Sequence, residues 1–163
     1  MASISAIYHK TAMAIDCSHN ISWDSNSVTN VNIDLSYNTG ILSIATQKMR
    51  ASEVWSIDTD EFAIISSKEN LKRSNLNVDN LIEGSIEILD HELKFDVILA
   101  NISSNIIMKY SNEMKRKLNQ NGILIASGIL SKNIEETLEK LQKAGFKLLS
   151  QTVEEEWECL VLK

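Results

Sequence analysis

The sequence predicts an α/β fold: a mostly parallel, twisted sheet with helices on both faces. Three observations predict it. Apolar runs of strand length alternate with helix-length amphipathic patterns from residue 31 onward, and that alternation gives parallel strands joined by crossover helices. The stretch from Val31 to Ala45 joins an alternating apolar run ending in Asp34, a short loop, Gly40 and a second apolar run. This is the strand–turn–helix opening of a nucleotide-binding domain. The final two apolar runs, 147–153 and 156–162, are separated only by a tight acidic turn, so they pair as an antiparallel hairpin at the sheet edge.

Residues 31–35 read as the first strand and 41–49 as a short helix packed on it. Residues 53–57 form a second strand ending at Asp58. Asp60 caps a helix over 61–74, with Phe62, Ile65 and Leu71 turned inward. Residues 81–83 give a short third strand, and 95–100, Phe-Asp-Val-Ile-Leu-Ala, a strongly buried one. An amphipathic helix over 106–118 is closed by Asn-Gln-Asn-Gly, and 122–127 is another apolar strand. Ser131 caps the helix 133–144, and Gly145 sits at its C-cap. The first thirty residues differ, being polar and rich in Ser and Asn over 18–30, with a short helix over 11–17. The chain therefore divides into a polar segment, 1–30, and one domain, 31–163.

The 163 residues suffice for a full core, and 44% hydrophobic with 23% charged residues fits a soluble globular protein. No apolar run approaches the roughly 20 residues of a membrane span. The N-terminus does not read as a signal peptide, because His9, Lys10 and Asp16 interrupt any apolar segment. A net charge of −6 argues against nucleic acid as a partner, and the basic residues between Lys109 and Lys117 read as a solvated helix face. Cys17 and Cys159 form neither a metal-binding nor a redox pair, which points to a reducing cytoplasm. Proline is absent, so turns rely on Asn, Asp, Ser and Gly.

In this architecture ligands bind at the carboxyl ends of the strands. Asp34–Gly40, Asp58–Asp60, the stretch around Gly84 and Ser85, and Asn101–Ser104 converge there. Asp58 lies 18 positions after Gly40, where a carboxylate accepts both hydroxyls of a ribose; the alternative is a charge at a helix N-terminus, a role Asp60 fits better. Asn101 either orients an amine or a cofactor through its amide, or caps the helix that follows. His9 reads as a surface residue, and His19 and His91 carry no spacing signal. No cluster of His, Cys and carboxylates supports a metal site, no Ser/His/Asp order supports a hydrolase, and Gly40 is followed by Ile41 and Leu42 rather than the Lys of a phosphate loop.

These residues resemble the catalytic domain of ribosomal protein L11 methyltransferases, over nearly the whole chain. Asp34-Leu-Ser-Tyr-Asn-Thr-Gly-Ile-Leu-Ser-Ile-Ala45 matches the family's Asp-Val-Gly-x-Gly-Ser-Gly-Ile-Leu-Ser-Ile-Ala. Ile57-Asp-Thr-Asp60, Phe95-Asp-Val-Ile-Leu-Ala-Asn-Ile102, Ser127-Gly-Ile-Leu130, Ala144-Gly-Phe146 and Glu156-Trp-Glu-Cys-Leu-Val-Leu162 match further motifs in order. The resemblance implies a Rossmann-like class I methyltransferase fold and S-adenosylmethionine as cofactor. It assigns Asp34, Ser36, Asn38, Gly40, Asp58 and Asn101 to cofactor binding, with Asp58 on the ribose and Asn101 also at the transfer site. It implies amino groups of a protein as acceptor. The family's substrate-recognition domain has no counterpart in this sequence, which argues against L11 itself.

The chain also departs from the family. Ser36 and Asn38 stand where the family has glycines, and His9, Thr11 and Ala12 align with a worn form of its Gly-x-His-x-Thr-Thr loop. Glycine lets the backbone approach a ligand closely. Asn reaches the left-handed region more readily than most residues, but its side chain takes space. Tyr37 either stacks on the ligand or blocks it. Two readings follow: a working methyltransferase, or a catalytically degenerate domain that serves as a binding or interaction module.

Overall fold

The computed structural model describes residues 31–36, 39–49, 51–76 and 80–163. The segment 1–30, with its expected helix over 11–17, lies outside the described residues. Strands β1 (Val31–Ser36), β2 (Glu53–Asp58), β3 (Asn80–Glu83), β4 (Phe95–Asn101), β5 (Leu118–Leu130), β6 (Leu148–Glu154) and β7 (Trp157–Leu162) form one sheet in the order β3-β2-β1-β4-β5-β7-β6. Helices α1 (Ile41–Lys48), α2 (Glu61–Arg73), α3 (Ser104–Lys117) and α4 (Ile134–Lys143) connect them.

The first five strands in this order are parallel, while β7 runs antiparallel to both β5 and β6. Successive strands on either side of β1 place the reversal of strand order between β1 and β4. That reversal opens a crevice at their carboxyl ends. The expected parallel sheet and terminal hairpin are both present.

Side-chain alternation divides the core between two faces. On one, Ile98, Ala100, Leu124 and Ala126 meet Ile107 and Met114 of α3 and Leu141 of α4. On the other, Val97, Leu99, Ile125 and Val161 cluster with Leu42 of α1. The strong apolar run of β4 is explained by this two-sided burial, which removes the need for polar alternation. Phe95 is fully buried and meets the ring of Trp55 edge-on, at 6.3 Å and 77°.

Three sequence expectations need correction. Phe62 and Ile65 do not face inward: they are 76% and 48% exposed. α2 packs instead through Ser67 and Leu71, one turn apart, because the chain at Gly40 crowds against Ser67 and admits only a small residue there. Asp60 does cap this helix, accepting from the Phe62 N–H at 2.9 Å. Ser131 does not cap the fourth helix; residues Ser131–Asn133 form a 3-10 turn and α4 starts at Ile134. The Ser131 N–H donates instead to the Glu156 carbonyl at 3.0 Å, tying this turn to the β6–β7 hairpin. Residues 119–121 belong to β5: Leu118 pairs with Phe95 and Ile123 with Val97, so the residues between loop outward from the ladder.

Lys117 ends α3 with only 1% of its surface exposed. Its ammonium donates to the Leu89 carbonyl at 3.1 Å and to the Asp90 carbonyl. Those carbonyls follow the 3-10 turn Ile86–Ile88, so the lysine clamps that turn to the end of the helix. Burial pushes the Lys117 ammonium below its ordinary range, and the Glu113 carboxylate offsets part of this. The unfolded chain therefore holds this proton more tightly than the folded one. Stability contributed by Lys117 is least at neutral pH and rises as pH climbs through the folded-state value toward the ordinary lysine range near about 10.4. Urea unfolding at pH 7 and about pH 9.5 checks this: stability relative to Lys117→Met should move in favour of the wild type as pH rises.

Candidate active site at the carboxyl edge of the sheet

Parallel register lines up the strand ends. Leu35 pairs with Ile57 on one side and Ala100 on the other, and Ala100 pairs with Ala126. One residue further on, Ser36 pairs with Asn101, and Asn101 with Ser127. Asp58 pairs with Glu83 at the end of β2. The carboxyl edge thus gathers Ser36, Asp58, Asn101 and Ser127 from four strands.

A solvent-open cavity lies at this edge. Leu35, Ile57, Ile86, Ile102, Ile106 and Tyr110 give it apolar walls, and Asp58, Thr59, Gly84 and Ser85 complete the lining. Asp58 is 7% exposed; its Oδ1 accepts from the Asp60 N–H at 2.9 Å and its backbone carbonyl accepts from the Gly84 N–H at 2.8 Å. These bonds hold the carboxylate and the β3 loop together. A slot with apolar sides and one fixed carboxylate suits a flat ring attached to a vicinal diol: the ring gains burial and the diol finds an acceptor.

The other expected residues fall around this cavity. Asp34 lies within β1, paired with Ser56 and Leu99, two positions before the strand ends. Asn38, with Tyr37, lies outside the described residues. Gly40 precedes α1 with φ 69°, a left-handed conformation that glycine adopts without penalty, and its carbonyl accepts the Ile44 N–H at 2.9 Å. The loop before it is tied down by Asn70 of α2, whose Nδ2 donates to the Thr39 carbonyl at 3.1 Å. Asn101 is 7% exposed at the end of β4. Its neighbour Ile102, just past the end of β4, lines the cavity and Asn101 does not. The structure therefore brings Asp58 and the Gly84–Ser85 stretch into one cavity and sets Asn101 beside it.

Sequence reasoning missed the walls supplied by Ile86, Ile106 and Tyr110. Ile106 and Tyr110 stand four apart on α3, a spacing that puts both on one helix face, but nothing in the sequence says which cavity that face covers. Among the described residues, no group of His, Cys, Asp and Glu could hold a metal, and no helix is long and apolar enough to cross a membrane.

The profile of the family described as Ribosomal protein L11 methyltransferase (PrmA) matches residues 8–163. The chain belongs to this family. The ribosomal protein L11 methyltransferase of Acetivibrio thermocellus is 35% identical over 131 residues, covering 80% of this chain and 42% of that protein. Its counterpart in Clostridium perfringens (strain ATCC 13124) is 33% identical, covering 80% and 41%. The chain thus spans about two-fifths of the length of these relatives. Among solved structures, the ribosomal protein L11 methylase of Lactobacillus delbrueckii subsp. bulgaricus superposes with a TM-score of 0.89 at 23% identity, covering 96% of this chain and 79% of that one. An S-adenosylmethionine-dependent methyltransferase of Clostridium acetobutylicum gives 0.69 at 15%, covering 96% and 98%. These similarities show the Rossmann-like class I methyltransferase fold.

A side chain at Gly40 would meet Ser67 Cβ at 3.0 Å and would be held at a positive φ. Gly40→Ala should lower stability by about 1–2 kcal/mol. A shifted denaturation midpoint checks it, and Gly40→Asn should lose less than Gly40→Ala, because Asn tolerates this conformation better.

Proposed function

We propose that this L11 methyltransferase family chain is an S-adenosylmethionine-dependent methyltransferase that acts on amino groups of a protein. The observation that carries the reading is Asp58, held at the end of β2 on the lining of an apolar cavity. Asp58 accepts the ribose hydroxyls, while Leu35, Ile57, Ile86 and Ile102 enclose the adenine. The backbone between Ser36 and Gly40, together with Asp34 in the strand before it, borders the methionine end. Asn101 orients the acceptor nitrogen through its side-chain amide. When bound, S-adenosylmethionine supplies a methyl group on a positively charged sulfur. The protein's own share is to fix the two reactants in line and keep bulk water away, and such positioning supplies much of the rate. We place the chain in the cytoplasm, with a protein rather than a nucleic acid as acceptor. Its two cysteines, far apart in sequence and without metal or redox spacing, and its net charge of −6 support that placement.

The degenerate reading is favoured by one specific observation, the replacement of two family glycines by Ser36 and Asn38. Calorimetry separates the two. A working enzyme binds S-adenosylmethionine as it stands, and Asp58→Ala weakens that binding about ten- to a hundredfold by removing a charged acceptor. Absence of binding at millimolar ligand defeats the proposal. Recovery of binding only after Ser36→Gly and Asn38→Gly together would establish the degenerate reading.

A further inference from the structure

Ser127 has no part in the cofactor site described above, yet three features set it apart. Its side chain is fully buried, at 0% exposure, and its hydroxyl has no hydrogen-bond partner among the described residues. Such a group ordinarily costs stability, so its persistence points to a partner that arrives from outside. It also sits where the β5–β7 ladder slips, between Ala126 and Ile129, next to Gly128 with φ 75°. A bulge of this kind re-aims a side chain and frees a strand end, and bulges gather beside active sites. Finally, Ser127 is the in-register neighbour of Asn101 on the adjacent parallel strand, so both side chains leave the same face.

We infer that Ser127 and Asn101 together hold the acceptor nitrogen, with Ser127 Oγ as the second hydrogen-bond acceptor of a primary amine. This inference rests on the methyltransferase reading. A neutral primary amine has two N–H bonds and one lone pair. If both N–H bonds are accepted by fixed oxygens, the lone pair has one remaining direction. Two oxygens, each about 2.9 Å from one tetrahedral nitrogen, lie about 4.7 Å apart. Neighbouring strands are spaced by about 4.8 Å. The register of β4 and β5 therefore sets the backbones of Asn101 and Ser127 about that far apart, so that their side chains start from neighbouring positions. In the transfer, the nitrogen lone pair forms the new N–C bond as the C–S bond breaks. The C–S electron pair stays on sulfur, which becomes a neutral thioether, and the nitrogen, now positively charged, releases a proton to water. One acceptor alone leaves the amine free to rotate about a single hydrogen bond, whereas two fix its lone pair.

The test uses two probes that need no acceptor protein. S-adenosylhomocysteine carries no group at the methyl position. Sinefungin carries an amine there, which both oxygens can hold. Calorimetry on the wild type and Ser127→Ala should show sinefungin affinity falling about tenfold in the variant while S-adenosylhomocysteine affinity stays within about twofold. The variant should also unfold at a denaturant concentration no lower than the wild type, since it loses an unpaired buried hydroxyl. A parallel fall for both probes, or no change in either, overturns the role of Ser127. If the wild type binds neither probe, the cofactor reading itself fails and the role of Ser127 fails with it.

Discussion

The position of every group at the carboxyl edge depends on one row of backbone pairing. Ile57, Leu35, Ala100 and Ala126 lie side by side across β2, β1, β4 and β5. The next residue on each strand is Asp58, Ser36, Asn101 and Ser127. Because side chains alternate between faces, a slip of one residue in any of these strands would exchange its core face for its other face. The apolar residues before the row forbid such a slip, since Ile98, Leu124 and their neighbours have helices packed against them. Core packing and site geometry are thus the same constraint viewed at two points along the strands.

The edge is built in two parts with different physics. On the side of α3, apolar walls surround a carboxylate, and the wall formed by Ile86 is anchored from behind. Lys117 reaches from the end of α3 to the carbonyls that follow the 3-10 turn. On the other side of β4 stand polar side chains that are nearly or fully buried, Asn101 and Ser127. An apolar slot gains affinity from contact area with little directional demand. A pair of buried polar groups gains little affinity from area and imposes direction instead. A reaction that must bind one molecule and align another needs both kinds of surface close together.

Much of this was legible in the sequence, for identifiable reasons. The parallel strands announced themselves as apolar runs because both faces of the sheet are covered. Asp58 and Asn101 could be singled out because each is a polar residue that ends such a run. Asp60 was legible as a cap because its role depends only on residues two positions away. The inward face of α2 was not, because the choice between Phe62 and Ser67 depends on how closely Gly40 approaches, which is a tertiary fact. The wall contributed by Ile106 and Tyr110 and the clamp made by Lys117 were hidden for the same reason. Lys117 lies in a basic run that looks solvated, and only the docking of α3 shows it to be buried. Ser127 opened a motif shared with the family, Ser127-Gly-Ile-Leu130, but its place beside Asn101 came only from the register.

The hairpin at the far end of the sheet bears on the behaviour of the chain in concentrated solution. Among the described residues β6 is paired only with β7 and, after Leu148, is exposed along its length, with Leu149 and Val153 more than half accessible. From Leu148 to Val153 it carries neither charge nor proline, so its outer edge is a bare template for another strand. The glutamates that end it and form the turn, Glu154, Glu155 and Glu156, act as gatekeepers: any second chain stacking there in parallel would bring like charges together. Colloidal stability of this protein is therefore set at a place remote from its chemistry, and rising salt would weaken the safeguard by screening those charges.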